Sequence, residues 1–285
     1  MAMDMAYSYQ PIILLGAGRS GTKIVRDVLG THSAIDQVPF DVNYIWRIGQ
    51  KQDQDDLLLP NMLTEPNKRL IIKQFNKFTS DAPILLEKTV SNSLRIPYVL
   101  EVFPNAKFVH LVRDGRDVSE SVLRQWGEVR EISYLFKKLK TFPLVPAFSY
   151  LIDYGINWIK FALTNKGQDK YIWGVKYPGY REDLKTLSVL EVCAKQWKYC
   201  TDQCSSDLAK LPSEKQIEIK YEELMQQPEK VIQKLAKFLT VDVNGFDYSN
   251  LNTKNIGKYK AAFSKDQLDQ ILPILRPGLI KFNYI

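Results

Sequence analysis

The chain has 285 residues, of which 45% are hydrophobic and 25% are charged, so it is long enough to bury a sizeable core. Its formal net charge is +7, but charges of both signs are spread along the chain, which excludes a disordered basic tail. The sequence has no basic patch interleaved with aromatic residues and no known nucleic-acid-binding signature, so nucleic acid is not a predicted partner.

Residues 1–10 carry neither the basic segment nor the apolar segment of a secretory signal, and we expect them to be flexible. The longest apolar stretch, residues 132–152, is interrupted by three lysines and two prolines. Such a segment cannot cross a bilayer as an uninterrupted apolar helix. The sequence therefore predicts no membrane span and a cytoplasmic location, unless an N-terminal anchor has been removed.

The first predicted element is a short apolar strand at 11–15, which runs directly into a glycine-rich loop. A helical pattern of apolar residues follows the loop. Strand, glycine-rich turn and helix N-terminus form a cradle in which backbone N–H groups and the helix dipole face an anion. The candidate residues of this phosphate site are Gly18, Arg19, Ser20, Gly21, Thr22 and Lys23.

The loop matches the Walker A motif of P-loop enzymes only in part. Gly16 and Gly21 have the Walker A spacing, but Thr22-Lys23 stands where a lysine followed by serine or threonine is required. No acidic strand end lies at a position suited to bind Mg²⁺. A P-loop nucleotide kinase or NTPase is therefore an alternative prediction.

Two further apolar runs, 84–88 and 108–112, are predicted to be buried strands with a cation at the carboxyl end. Lys88 ends the first run, and Arg113 follows the second. The carboxyl ends of parallel strands form the edge at which open α/β sheets bind ligands. Because Ser121 follows Arg113 by eight residues, on the next predicted helix, we expect the guanidinium and the hydroxyl to hold one phosphate.

The second half of the chain alternates between strands and helices. Residues 127–150 have the lysine and proline content of an irregular insertion or lid. The next predicted elements are a helical region at 148–163, a loop at 173–178, a helix at 187–208, a strand at 217–220 and a helix from Pro228 onward. Such alternation implies a mainly parallel sheet flanked by helices. We therefore predict one α/β domain over residues 1–285.

Three cysteines, Cys193, Cys200 and Cys204, lie close together in one predicted helix. Their odd number and their spacing indicate no disulfide framework, so reduced thiols and a reducing compartment are predicted. The two histidines, His32 and His110, lack the spacing of metal ligands. The sequence therefore predicts no metal site.

The order of these landmarks resembles that of the sulfotransferases that use 3′-phosphoadenosine 5′-phosphosulfate (PAPS). The resemblance rests on the Gly-x-x-Arg-Ser-Gly-Thr loop and on the pair Arg113 and Ser121. Residues 103–108, 219–224 and 257–259 are also similar to this family. The loop is closer to the tyrosylprotein and carbohydrate branches than to the cytosolic small-molecule branch.

The resemblance implies a P-loop-like α/β fold and transfer of a sulfuryl group from PAPS to an acceptor hydroxyl or amine by in-line displacement, without a metal. Arg19 and Lys88 fall at the family's cationic positions beside the leaving phosphate, where they would act catalytically. The residues implied to bind the nucleotide are the loop residues 18–23, Arg113, Ser121, Tyr221 and Lys258.

The acceptor hydroxyl needs a general base. The cytosolic branch has a histidine two residues after the strand-end lysine, where this chain has Val90. The tyrosylprotein and heparan-type branches use a carboxylate after the first helix, and this segment offers Asp36 and Asp41. We predict Asp41, because its apolar neighbours favour a carboxylate that can take up a proton. Asp36 is the alternative.

The predicted acceptor is a carbohydrate or a tyrosine-containing substrate. The loop 173–176, with its tryptophan, glycine and lysine, is the most suggestive of the segments that could meet it. A relative that binds an anionic glycan without turnover is a further alternative. No oligomeric state is predicted.

Overall fold

A computed structural model of the chain describes residues 7–51, 53–128 and 172–285. The strands in these residues are β1 (Gln10–Leu15), β2 (Ile35–Gln37), β3 (Ile84–Glu87), β4 (Lys107–Val112) and β5 (Gln216–Lys220). They form a parallel sheet in the order β2-β3-β1-β4-β5. The predicted α/β fold with a parallel central sheet is therefore confirmed.

The sheet is flanked by helices of very different lengths. The described helices are α1 (Thr22–Leu29), α2 (Asn43–Trp46), α3 (Glu65–Phe75), α4 (Ile96–Val102), α5 (Gly115–Glu128), α6 (Tyr180–Thr186), α7 (Val189–Leu208), α8 (Tyr221–Gln226), α9 (Pro228–Leu239), α10 (Tyr259–Ala262) and α11 (Lys265–Lys281). Short 3₁₀ turns lie at Pro60–Met62, Asn76–Phe78, Val90–Leu94, Ser213–Lys215 and Val243–Gly245. Within the described ranges, no helix has the length and apolar character that a bilayer crossing requires.

The central strands form where the sequence is continuously apolar. β1 and β4 are buried along nearly their whole lengths, as expected of parallel strands that are covered on both faces. The observed ends lie within one residue of the predictions at 11–15, 84–88, 108–112 and 217–220. Apolar runs therefore located β1, β3 and β4 correctly, and β5, which alternates between isoleucine and polar residues, was also placed correctly.

The edge strand β2 is absent from the sequence-based prediction. Of its three residues, only Ile35 is apolar and buried. A run this short has neither a continuous apolar stretch nor an alternating pattern, and it forms through pairing with β3, where Ile35 lies opposite Ile84. The strand at 84–88, predicted to be the second, is therefore the third along the chain.

Alternate residues of β1 enter two different cores, one on each face of the sheet. Ile13 and Leu15 belong to the cluster that contains Trp46. Ile12 and Leu14 belong to a separate cluster, to which helices α1 and α9 contribute. Because both faces are covered, the loops at the carboxyl ends of the strands are the part of the sheet that can meet a ligand.

Helix α7 confirms the prediction of a helix at 187–208. Its N-terminus is stabilised by a capping box, in which the Ser188 hydroxyl and the Glu191 carboxylate each accept a hydrogen bond from the other residue's backbone N–H. Cys193, Cys200 and Cys204 are buried in α7 and form no disulfide. The reducing compartment stays a prediction.

The first described residues of the chain, which belong to the predicted flexible segment 1–10, include two buried tyrosines. Tyr7 and Tyr9 are buried against Phe103, and the Tyr7 hydroxyl donates to Asn105 Oδ1 at 2.6 Å. The flexibility of residues 1–10 stays a prediction. The predicted insertion at 127–150 lies outside the described residues from 129 onward, as does the predicted helical region at 148–163.

Candidate active site

The loops that follow the carboxyl ends of the five strands line one cleft of about 970 Å³. This is the edge at which a parallel α/β sheet binds its ligands. Ser20 is buried beneath the cleft surface, and the other predicted site residues line it. These lining residues are Gly18, Arg19, Gly21, Thr22, Lys23, Asp41, Lys88, Arg113, Ser121, Tyr221 and Lys258.

The glycine-rich loop between β1 and α1 depends on close approaches that a side chain would block. Gly16 and Gly21 both have positive φ, of 155° and 100°. A Cβ on Gly16 would lie 2.7 Å from the Leu111 carbonyl oxygen, and one on Gly21 would lie 2.6 Å from the Tyr221 ring. The loop is therefore drawn tightly against β4 and the start of α8.

The two predicted phosphate motifs meet directly. Arg19 Nε donates to Ser121 Oγ at 3.0 Å, and Arg113 Nη1 donates to the Arg19 carbonyl oxygen at 3.0 Å. The loop after β1 and the helix after β4 thus form one cluster of donors. Arg113 and Ser121 are thus linked through Arg19, which bonds to both of them. The sequence motifs alone do not indicate this link.

Arg113 is held in a fixed orientation by its surroundings. Its guanidinium lies over the Tyr221 ring, with Cζ 4.4 Å from the ring centroid, and Nη2 donates to the Asn255 carbonyl oxygen. Asp117 Oδ2 lies 3.8 Å from Nη2. Arg113 Nε is buried and has no hydrogen-bond partner among the described residues. This N–H is a donor that a bound anion could satisfy.

The turn that carries Arg113 is braced from the far end of the chain. Glu222 Oε1 accepts from the Asp114 backbone N–H at 3.0 Å, and Glu222 Oε2 accepts from the Tyr284 hydroxyl at 2.7 Å. Trp197 Nε1 donates to the Arg113 carbonyl oxygen at 3.0 Å. Helices α7 and α8 and the segment after α11 therefore fix the position of this arginine.

The cradle fits a phosphate-bearing ligand. The Ser20 hydroxyl is buried and has no partner within the described part of the chain, so it can donate to an anion. Gly18 borders open space, because a Cβ there would meet nothing closer than Val90 Cγ1 at 3.9 Å and the Trp173 ring at 4.0 Å. Buried unpartnered donors beside an open glycine are what an anion-binding loop requires.

Lys88 and Asp41 form an ion pair that lines the same cleft. Lys88 Nζ lies 3.6 Å from Asp41 Oδ2, with 12% of the lysine side chain and 41% of the aspartate side chain exposed. Asp41 also accepts from the backbone N–H groups of Asn43 and Val90, at 3.2 and 3.1 Å. Asp41 is therefore oriented by two backbone donors and by the charge of Lys88, and it is not enclosed by apolar neighbours, in contrast to the expectation from its sequence context.

Asp36 lies away from this pair. It is part of β2, does not line the cleft, and accepts hydrogen bonds from the backbone N–H and the hydroxyl of Ser80. Partial burial acts to raise the pKa of Asp36, but hydrogen bonds from Ser80, Ala82 and Thr79 together outweigh it and lower the pKa. Between the two candidate bases, only Asp41 faces the cleft. The role of base itself stays a prediction.

The remaining predicted residues lie at the rim and the floor of the cleft. Lys23 is 76% exposed along its side chain and pairs with Asp27 at 2.7 Å on the surface of α1. Lys258 is exposed at the rim. Tyr221 is almost completely buried between Arg113 and Gly21. Its ring therefore supports the site from below and presents little surface to a ligand.

Glu87 is a buried acid that sequence analysis did not single out. Burial raises its pKa to about 7, and Glu87 Oε2 accepts from Asn92 Nδ2 at 2.7 Å. It immediately precedes Lys88 at the end of β3. An acidic residue at the end of a fully apolar strand was the signal that could have found it.

Metal ligands are not assembled in the described part of the chain. No group of three or more histidine, cysteine, aspartate or glutamate side chains there could hold an ion. Metal-independent chemistry stays a prediction.

Comparison with known proteins gives consistent results. The model of the sulfotransferase family matches residues 11–142 and 167–245. An uncharacterized protein of Aquifex aeolicus is 31% identical over 215 residues, which are 67% of this chain and 26% of that protein. A protein-tyrosine sulfotransferase of Drosophila melanogaster is 24% identical over 254 residues, 84% of this chain and 40% of that enzyme. The chain thus spans less than half the length of these two relatives.

Solved structures show the same fold. The sulfotransferase domain from the curacin biosynthetic pathway has a TM-score of 0.51 and 16% identity, and the match covers 94% of this chain and 98% of that domain. Sulfotransferase STF9 from Mycobacterium avium has a TM-score of 0.52 and 14% identity, and the match covers 97% of this chain and 77% of that chain. Since the family model matches most of the sequence, this chain belongs to the sulfotransferase family.

Proposed function

We propose that the protein transfers a sulfuryl group from PAPS to a hydroxyl group of an acceptor. The observation that carries this proposal is the hydrogen bond that Arg19 Nε donates to Ser121 Oγ, at 3.0 Å. It joins the loop after β1 to the helix after β4 in one cleft, and the Lys88–Asp41 pair lines the same cleft. Anion-binding groups and a candidate base are thus within one site.

The donor nucleotide would be bound at two anionic positions. Its 5′-phosphosulfate would occupy the cradle of Gly18 to Thr22, where the Ser20 hydroxyl and the backbone N–H groups act as donors. Its 3′-phosphate would accept from Ser121 and from Arg113 Nε, which is buried without a partner among the described residues. Binding of the nucleotide would replace the Arg19–Ser121 contact.

The adenine base would lie in an adjoining cavity of about 340 Å³. Ile24, Tyr221 and Asn255 line both this cavity and the main cleft, so the two spaces are neighbours. Apolar side chains and asparagine side chains together line the cavity. That combination suits a flat heterocycle with hydrogen-bonding edges.

The two cations and the aspartate have separate tasks. In the transfer, the sulfur–oxygen bond to the 5′-phosphate breaks and a sulfur–oxygen bond to the acceptor forms. Arg19 and Lys88 would stabilise the charge that grows on the departing phosphate. Asp41 would take up the proton of the acceptor hydroxyl. Because Lys88 contacts Asp41, the base and the leaving-group cation are held side by side.

The test is release of 3′-phosphoadenosine 5′-phosphate (PAP) from PAPS in the presence of EDTA, with phenolic and carbohydrate acceptors offered separately. Release that depends on an acceptor supports the proposal, and the acceptor that works identifies the substrate class. Binding of PAPS without release in either series would favour a binding protein without turnover. Failure to bind PAPS, with Mg²⁺-dependent binding of ATP, would favour a P-loop kinase.

A further inference from the structure

The wall of the cleft beyond Lys88 is organised around one buried carboxylate, that of Asp56, which is 3% exposed. Asp56 Oδ1 accepts from Asn43 Nδ2 at 3.1 Å and from Arg47 Nη1 at 3.3 Å. Oδ2 accepts from Ser91 Oγ at 3.0 Å and from the Lys176 backbone N–H at 2.9 Å. Asp56 N donates in return to the Lys176 carbonyl oxygen at 2.7 Å. Both carboxylate oxygens are thus occupied, and four segments are joined.

The segment of residues 173–176, here called the acceptor loop, is held in place on both sides. Gln196 Nε2 donates to the carbonyl oxygens of Trp173 and Val175, at 2.7 and 3.0 Å. The Trp173 ring lies 4.0 Å from where a Cβ on Gly18 would be. The acceptor loop therefore borders the donor cradle, and its backbone is fixed before any ligand binds.

The cations on this side of the cleft differ in what they contact. Lys88 pairs with Asp41. Arg47 is buried, pairs with Asp56, and donates to three backbone carbonyl oxygens of the loop at 51–55 that follows it. The Lys176 ammonium makes no hydrogen bond or ion pair with any described residue, although Lys176 lines the cleft.

Lys176 is also partly withdrawn from water. Burial lowers the pKa of its ammonium, and the nearby Asp56 carboxylate opposes that effect. Asp56 cannot neutralise the lysine by direct contact, since its oxygens are already bonded to other groups. A partly desolvated cation on a rigid loop is a strong binding element for a ligand anion.

We propose that Lys176 binds an anionic group of the acceptor, a carboxylate or a sulfate, and so selects acidic acceptors. The inference rests on the proposed function, because the acceptor loop meets an acceptor only if the cradle of Gly18 holds the donor. Asp56 acts as the positioning residue, which holds the loop without contacting the ligand.

The test is isothermal titration of the PAP-loaded protein with two matched pairs of small acceptor analogues. One pair is 4-hydroxyphenylacetate and 4-hydroxyphenylacetamide, and the other is methyl glucuronide and methyl glucoside. We expect the acid of at least one pair to bind about tenfold or more tightly than its neutral partner. Lys176→Met should reduce this preference to about twofold or less, and Lys176→Arg should retain most of it.

Lys185→Met is the matched control, because Lys185 is 66% exposed on α6 and pairs with Glu182 outside the cleft. It should leave the preference unchanged. Equal binding of acid and neutral compounds in both pairs, or a preference that survives in Lys176→Met, would overturn the inference. If PAP binds in those experiments, the proposed function is unaffected. If PAP does not bind to the wild-type protein, the proposed function fails and this inference fails with it.

Discussion

At the scale of single residues, Asp41 is an exposed carboxylate that lines the cleft beside Lys88. Two backbone N–H groups and Lys88 orient it. Asp41→Asn keeps the size of the side chain but cannot accept a proton, so turnover should fall by about 10²–10⁴-fold. Measured PAP affinity and melting temperature should stay close to the wild-type values.

Asp36→Asn is the natural control for that experiment, because Asp36 hydrogen-bonds Ser80 outside the cleft. It should change turnover only slightly. A larger loss in Asp36→Asn than in Asp41→Asn would transfer the role of base to Asp36. Full activity in both variants would place the base elsewhere.

The raised pKa of Glu87 predicts that the stability of the protein depends on pH. Its folded-state pKa of about 7 lies above the ordinary value of 4.5 because the side chain is buried. The folded protein therefore holds this proton more tightly than the unfolded chain. The contribution of this proton to the free energy of unfolding is fully present below pH 4.5 and is lost as the pH rises through about 7.

Glu87→Gln removes this titration, so the free energy of unfolding should depend less on pH between about 5 and 8. The wild-type protein should lose on the order of a few kcal/mol relative to the variant over that range. Urea denaturation at several pH values measures the difference. Glu214→Gln, at an exposed acid, is the control, and the same pH profile for wild type and Glu87→Gln would refute the assignment.

At the scale of elements, the site is assembled where the β1–α1 loop meets helix α5. Ser121 is the α5 residue that bonds Arg19. Ser121→Ala should weaken PAP binding by about 0.5–1.5 kcal/mol, the worth of one hydrogen bond. It should leave the affinity for adenosine 5′-phosphosulfate unchanged, because that nucleotide lacks the 3′-phosphate. Calorimetric titration with both nucleotides checks the difference.

Ser119 provides a matched control on the same helix, since its buried hydroxyl donates to the Gly115 carbonyl oxygen at 2.7 Å. Ser119→Ala should affect stability but not the discrimination between the two nucleotides. Equal losses of affinity for both nucleotides in Ser121→Ala would remove Ser121 from the 3′-phosphate site.

At the scale of the whole molecule, most of the sheet could be predicted, because β1, β3 and β4 are largely apolar runs and β5 alternates between isoleucine and polar residues. β2 could not, since only one of its three residues is apolar and its formation depends on pairing with β3. The packing of Tyr7 and Tyr9 was also missed, because local composition does not reveal a contact with Phe103.

That the candidate residues at the strand ends line one cleft was predictable for a similar reason. Polar residues directly after buried parallel strands must gather at one edge of the sheet. Asp56 was not predictable, because its importance lies in contacts with Ser91 and Lys176, and the latter is 120 residues away in sequence. The bond between Arg19 and Ser121 was likewise invisible until the two loops were seen together.

The central claim is that the cleft recognises a nucleotide through its 3′-phosphate, independently of a metal. Isothermal titration of the wild-type protein with PAP and with adenosine 5′-monophosphate, both in EDTA, tests it most directly. We expect PAP to bind about tenfold or more tightly, because Ser121 and Arg113 Nε would then gain an anionic partner. Equal affinity for the two nucleotides, or binding that requires Mg²⁺, would contradict the claim.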